Sequence, residues 1–167
     1  MMATRGTRTV LPLVGALLFS ALAVVGCGSD PTAPTEPLTA EVVQALDRAV
    51  QDEYRAENIY LGVLADFGDV APFRNVVYAE ERHSQALATL FVRRDLSVPL
   101  STWNLNNVPR FATLNEACAA GVQAELENIE MYDGFMGLSL PADVRMVFEN
   151  NRAASLDRHL PAFRGCD

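Results

Sequence analysis

The chain has 167 residues, half of them hydrophobic, and its 13 basic residues are all arginine. Its 21 acidic residues give a net charge of -8, and the part after Cys27 holds 11 arginines against all 21 acids. This balance argues against a nucleic-acid partner, which requires a basic face that displaces counterions. The roughly 140 residues after Cys27 fit one domain with a single core.

The first 26 residues are predicted to be a secretion signal. Arg5 and Arg8 precede an uncharged and nearly all-apolar stretch over 10–26, which is typical of a signal peptide. The stretch ends in Val24-Val25-Gly26-Cys27, which resembles the bacterial lipobox, whose cysteine receives the lipid and becomes the first residue. An uncleaved membrane anchor is the alternative, because about 17 apolar residues are the lower limit for a membrane-spanning helix.

The lipobox resemblance implies a location in the cell. It implies a lipoprotein that is anchored to the membrane through Cys27 on the extracytoplasmic side of the cell envelope, and Gly28 favours the outer membrane where two membranes are present. Residues 27–38 contain three prolines among small polar residues, so we expect a flexible tether. In that oxidising compartment Cys118 and Cys166 are expected to form a disulfide, the alternative being two unpaired thiols.

Residues 39–167 are predicted to form one all-α domain. No run of alternating apolar and polar residues is long enough to indicate a sheet, and periodic apolar positions predict helices over 39–67, 72–95, 113–135 and 141–163. Thr39 is a candidate N-cap, and Thr113 with Glu116 has capping-box spacing. Short connections make the first and second helix pairs hairpins, whereas the long connection between them can cross the molecule. We therefore expect a four-helix bundle with one long crossover.

Each predicted helix carries a glutamate near the middle of its inward stripe. Carboxylates that are crowded in a medium of low dielectric constant repel one another unless they are protonated, paired with arginine or bound to a cation. Glu80 and His83 are three residues apart and project from one helix face, and carboxylate with imidazole suits iron or manganese. The candidate metal ligands are Glu53, Glu80, His83, Glu125 and Glu149.

The same residues resemble the ferritin-like superfamily. Glu53, Ala56 and Tyr60 are similar to its first-helix pattern, Glu80 and His83 to its second-helix Glu-x-x-His, and Glu125 with Tyr132 repeats the first-helix spacing of seven. The segments 72–75 and 152–163 are similar to those of a bacterial ferritin-like family of unknown function. The similarity extends over about residues 40–164. The resemblance implies a ferritin-like bundle with a di-iron carboxylate site on the candidate ligands.

The fourth helix departs from the family pattern. A second Glu-x-x-His would need histidine at position 152, where this chain has Arg152, which we expect to pair with Glu149 or Glu125. His159 is ten residues beyond Glu149, about 15 Å along a helix, so we expect it to be a packing residue outside the site.

Three residues are candidates for supporting the ligands. Tyr60 and Tyr132 either hydrogen-bond to them or only fill the core, and Asn128 is a candidate to orient His83.

Two functional hypotheses follow. The first is a lipid-anchored protein that binds iron or manganese, with one or two ions, and that oxidises ferrous iron with oxygen or peroxide if it is an enzyme. The second is a metal-free envelope module with a structural or interaction role, in which Arg152 neutralises the carboxylates. The sequence does not decide between a monomer and a homodimer, and it identifies no protein partner.

Overall fold

The computed structural model describes residues 35–166, together with Met2. The predicted signal peptide, Cys27 and most of the predicted tether lie outside these residues. The last part of that tether has no helix, but it is held to the rest of the chain: Thr35 Oγ1 donates to the carbonyl of Arg93, and Arg94 Nε donates to the carbonyl of Glu36. None of the helices in the described part is both long and apolar enough to cross a membrane.

The described part of the chain is all-helical and holds no strand, which confirms the predicted all-α class there. A π-helical turn, Ser155–His159, joins the last two helices. The helices are α1 (Ala40–Phe67), α2 (Phe73–Val92), α3 (Leu114–Phe135), α4 (Ala142–Ala154) and α5 (Leu160–Arg164).

Local chemistry sets the helix ends. Thr39 and Thr113 are the N-caps that the sequence predicted, since their hydroxyls accept from the backbone N–H groups of Val42 and Glu116. α1 ends at Gly68, whose φ of 83° is a conformation that side chains with a Cβ rarely adopt.

The contacts between side chains give the direction of each helix. Glu53 of α1 contacts Tyr132 of α3, and Tyr60, further along α1, contacts Glu125, earlier on α3. α1 and α3 are therefore antiparallel. The same reasoning makes α1 antiparallel to α2, since Glu53 contacts His83 and Tyr60 contacts Phe73.

α2 and α3 consequently run in the same direction, and the connection 93–113 must return along the molecule. It does so beside α1. Gln51 bonds to the carbonyl of Leu100 near the middle of α1, and Arg110 pairs with Asp66 near the end of that helix.

The core consists of two apolar clusters with a polar layer between them. In α1, for example, Leu46 and Val50 belong to the first cluster, Tyr60 and Val63 belong to the second, and Glu53 lies between the two groups. In α2 and α3, polar residues likewise lie between residues of the two clusters. The buried polar side chains of the layer are Glu53, Glu80, Ser84, Glu125, Asn128, Asn151, Ser155 and His159.

Cys118 and Cys166 join the two ends of the second half of the domain. Their sulfur atoms lie at bonding distance and their Cα atoms are 5.8 Å apart, a separation within the usual range for a disulfide. This pair is the one that the cysteine count predicted, and it ties α3 to the segment that follows α5.

Candidate metal centre

Three glutamates on three helices meet in the polar layer. Glu53 of α1, Glu80 of α2 and Glu125 of α3 are each no more than 2% exposed. Burial of three carboxylates in one layer is unfavourable unless positive charge accompanies them. Two histidines, His83 and His159, supply that charge.

The histidines and glutamates form two triads that share one residue. In the first triad, His83 Nδ1 lies 3.3 Å from Glu53 Oε2 and 3.0 Å from Glu80 Oε2. In the second triad, His159 Nδ1 lies 3.2 Å from Glu80 Oε1 and 3.4 Å from Glu125 Oε2. Glu80 thus gives one oxygen to each triad, and the candidate ligand atoms within each triad lie within 4.8 Å of one another.

Two tyrosines hold the outer glutamates of the triads. Tyr132 donates its hydroxyl proton to Glu53 Oε1 over 2.5 Å, and Tyr60 donates to Glu125 Oε1 over 2.7 Å. Each of α1 and α3 therefore supplies one glutamate and, seven residues later, the tyrosine that holds the other helix's glutamate. Of the two roles that the sequence left open for these tyrosines, the structure gives both: they bond to candidate ligands and they are fully buried.

Asn128 links the first triad to its surroundings, although not as the sequence suggested. Its amide donates to Asp52 Oδ2 at 2.9 Å and to Glu53 Oε1 at 3.4 Å, and its carbonyl oxygen accepts from Ser155 Oγ. Asn128 thus positions Glu53, and it makes no hydrogen bond to His83.

The electrostatics of the triads favour charged histidines when no metal is bound. Burial alone would lower the pKa of His83, but the adjacent carboxylates of Glu53 and Glu80 raise it to about 10. Burial likewise opposes charge on His159, whose pKa the adjacent carboxylates of Glu125 and Glu80 raise to about 9. Burial raises the pKa of Glu53 to about 7. Glu80 is also buried, yet the adjacent imidazoles of His159 and His83 hold its pKa below the usual range.

Two atoms of the triads remain without a hydrogen bond. Glu53 Oε2 and His159 Nδ1 are both buried, and although each lies close to an oppositely charged neighbour, neither has the geometry of a hydrogen bond. Buried polar atoms in proteins are nearly always paired. A cation in each triad would give each of these atoms a partner, so the donor set fits metal ions.

The prediction of Glu149 as a ligand is wrong. Its side chain is 58% exposed and lies 3.9 Å from Arg145. Arg152 was expected to neutralise Glu149 or Glu125, but it pairs with Asp133 at the surface, over 2.5 and 3.0 Å. Both corrections have one cause: Glu149 and Arg152 lie on the outer face of the fourth helix, whose inward face carries Val144, Phe148, Asn151 and Ser155.

His159 is the site residue that the sequence analysis excluded. Side chains spaced by four residues on α4 and its π-helical turn face α3 in reverse order, with Asn151 against Tyr132 and Ser155 against Asn128. This antiparallel register continues to His159, which reaches Glu125. The repeated polar spacing at 151, 155 and 159 was the signal available in the sequence.

The π-helical turn completes this placement. Ser155 and His159 lie at its two ends, and both are buried, whereas Leu156 within the turn is 39% exposed. A π-helical turn holds an extra residue relative to an α-helix and is frequent at functional sites. In α2 the residue three positions before His83 is the ligand Glu80. The residue three positions before His159 is Leu156, so the helix that bears His159 contributes no carboxylate to the second triad.

Comparisons with known proteins support the fold alone. No protein-family model and no curated protein matches the chain. A solved structure, the hypothetical protein MJ0754 from Methanococcus jannaschii DSM 2661, is similar with a TM-score of 0.69. The two chains are 19% identical, and the match covers 78% of this chain and 81% of the archaeal one.

Proposed function

We propose that the chain is a ferritin-like four-helix bundle that binds two metal ions, iron or manganese, in the polar layer between its apolar clusters. The observation that carries this proposal is the pair of triads with Glu80 in common. Five ligating groups from four helical elements converge there, four of them buried and His83 12% exposed, and a shared carboxylate is the arrangement that can bridge two cations.

Each side chain has a role in this proposal. Glu53 with His83, and Glu125 with His159, would each hold one ion, and Glu80 would bridge both. Tyr132 and Tyr60 orient the outer glutamates, as neighbours of metal ligands commonly do. The apolar clusters on both sides exclude bulk water.

Bound iron would supply redox chemistry, and we propose oxidation of ferrous iron by oxygen or peroxide as the activity. The residues of the chain would handle the accompanying charge. Since His83 and His159 hold protons in the absence of metal, both protons must leave the imidazoles when their Nδ1 atoms become ligands.

The test is metal content. The full chain would be stripped with a chelator, loaded anaerobically with ferrous iron or with manganese, and freed of excess metal. We expect about two ions per chain, and near-complete loss in Glu80→Ala/His83→Ala. Glu149→Ala is the matched control, because this exposed glutamate lies outside the triads; loss of metal from the control, or retention in the double variant, would contradict the proposal.

The proposed setting is the cell envelope, with the chain anchored by lipid at Cys27. The support is the apolar stretch over 10–26 and the lipobox-like sequence that ends in Cys27. Radiolabelled palmitate should be incorporated into the chain and should be lost in Cys27→Ala. Incorporation that persists in this variant would refute the anchor.

A second candidate is a metal-free envelope module. The observation that favours it is the set of ion pairs from His83 and His159, which offset most of the carboxylate charge without a metal. His83 and His159 thus provide the positive charge that was expected from Arg152. No bound metal after loading, together with an unchanged melting temperature in the presence of iron and manganese, would select this candidate, since ligands that bind the folded state raise its stability.

A further inference from the structure

A cavity of about 470 Å³ lies between α2 and the helix formed by α4, the π-helical turn and α5. We call it the α2–α4 cavity. Its wall includes both candidate ligand histidines, His83 and His159. Cavities that hold small organic molecules have volumes of about 300–1,000 Å³, so this one exceeds the needs of a single ion or a few waters.

The polar wall of this cavity consists of hydrogen-bond donors and amides. Arg82, Arg158, Asn75 and Asn150 line it, and no carboxylate does, although the chain carries a net charge of -8. Among the described residues, neither Arg82 nor Arg158 has a carboxylate within ion-pair distance, whereas most other arginines there do.

A cavity on the opposite side of the layer shows that this composition is not general. That cavity, of about 650 Å³ between α1 and α3, is lined by Arg48 and Arg55 together with Asp52, Glu127 and Glu130. Its arginines have acidic neighbours, and Arg55 pairs with Glu127. The α2–α4 cavity therefore presents positive charge without a partner, which the α1–α3 cavity does not.

The remaining wall is apolar. Pro72, Val76, Ala79 and Ala162 form it, and the hydrocarbon surface that Ala79 and Ala162 expose stays in contact with water unless a ligand covers it. An inorganic anion would satisfy the arginines but would leave this surface bare. A ligand with one anionic group and an apolar body matches both parts of the wall.

We propose that the α2–α4 cavity binds a small organic anion, with its carboxylate or phosphate at Arg82 and Arg158 and its apolar body against Val76, Ala79 and Ala162. Arginine is suited to both head groups because its guanidinium donates two parallel hydrogen bonds. The bound molecule would lie against His83 and His159, beside the proposed metal centre. The site itself requires no metal.

The experiment compares probes of one shape and different charge. Benzoate, phenyl phosphate and uncharged benzamide would be titrated into the full chain, first stripped of metal and then loaded, with binding followed by calorimetry and by amide chemical shifts. We expect benzoate or phenyl phosphate to bind at least about tenfold more tightly than benzamide, with shifts at Asn75, Ala79 and Ala162. The tighter of the two anions identifies the head group.

The matched variants separate the cavity from overall charge. Arg82→Gln/Arg158→Gln should weaken anion binding by at least about tenfold. Arg93→Gln/Arg145→Gln removes the arginine that follows α2 and one arginine of α4, both outside the cavity lining, and it should bind as the parent does. Circular dichroism and the melting temperature would verify folding of both variants.

Three results would overturn the inference: no binding of either anion, equal binding of benzamide, or equal weakening in the two double variants. Metal content is measured on the same samples. Because the first titration uses the stripped protein, failure of the proposed metal centre and failure of the cavity are distinguishable.

Discussion

The two triads of the polar layer are built alike on one side and differently on the other. α1 and α3 each contribute a glutamate and a tyrosine at the same spacing, so Glu53 and Glu125 have equivalent partners. α2 contributes both a glutamate and a histidine, whereas the π-helical turn contributes only His159. Glu80 must therefore serve both triads.

This difference teaches that the centre is asymmetric in the origin of its ligands, although each triad has three ligating groups and the two share Glu80. The first triad is completed within the α1–α2 hairpin by Glu53, Glu80 and His83. The second borrows Glu80 from that hairpin and places its own histidine with a π-helical turn. We expect the second metal position to be the weaker one, and the following predictions test that expectation in order of decreasing effect.

The largest effect is expected for Glu80→Gln. The amide keeps the size of the side chain but removes the charge that both triads use, so both metal positions should be lost. Changes at residues that merely support ligands cost about 10–100-fold in metal affinity, and loss of the shared ligand should exceed that range at both positions. Isothermal titration with manganese measures this, and one remaining tight site would show that the triads do not share Glu80.

Removal of single histidines should separate the triads. His83→Ala should abolish the first position and His159→Ala the second, so each variant should retain about one ion per chain. Because all three ligating groups of the first triad come from the α1–α2 hairpin, the ion that His159→Ala retains should be the more tightly held. Metal analysis after dialysis checks the counts, and equal affinity in both variants would remove the asymmetry.

The pH dependence is expected to have opposite signs with and without metal. In the metal-free protein the pKa values of His83 and His159 are raised to about 10 and about 9, so the stability that their ion pairs contribute is complete below the unfolded pKa of about 6.5 and is lost as the pH rises through 9–10. Each ion must displace the proton of its own histidine, so the apparent affinity of each position should rise by up to about tenfold per pH unit near neutrality.

Thermal melts and metal titrations from pH 6 to 10 measure these trends. A metal-free melting temperature that is constant or rising over pH 8–10 would contradict the assignment of charged histidines.

Gly121→Ala should destabilise the helix that bears His159. A Cβ at Gly121 would lie 2.5 Å from Phe163 Cδ1, and Phe163 is four residues beyond His159. Forcing extra volume into a packed site costs about 1–3 kcal/mol, and we expect the second metal position to weaken more than the first. Gly134→Ala in the same helix meets nothing within 4 Å and should stabilise by about 0.5–1 kcal/mol instead. Equal effects of the two changes on denaturant unfolding would refute the contact.

The smallest effects are expected for Tyr60→Phe and Tyr132→Phe, each of which removes one hydroxyl bond to an outer glutamate. Each should weaken its own metal position by about tenfold, at the lower end for supporting residues. Tyr132→Phe should also be the more destabilising of the two, because the Tyr132 hydroxyl in addition accepts from Asn151. If Tyr60→Phe weakened the first position rather than the second, the pairing of tyrosines with triads would be wrong.

The first triad, and Glu125 of the second, could be predicted from the sequence. Glu53, Glu80, His83 and Glu125 occur at helical spacing among apolar residues, and this local pattern determines which face of a helix is buried. The helical class, the capping threonines and the cysteine pair rest on equally local or compositional signals. The signal peptide and the lipidated Cys27 remain predictions, since these residues lie outside the described part of the chain.

Only the tertiary structure decided the second triad. The predicted inward stripe of the fourth helix was on the wrong face, and the assumption that helix midpoints coincide made Glu149 the reference for the layer, which left His159 outside it. The packing of Asn151 and Ser155 against α3, together with the π-helical turn, set the actual register. The sequence by itself determined the buried faces of α1, α2 and α3, because burial there follows from local pattern; the buried face of the fourth helix depends on contacts between distant helices, and those contacts brought His159 into the centre.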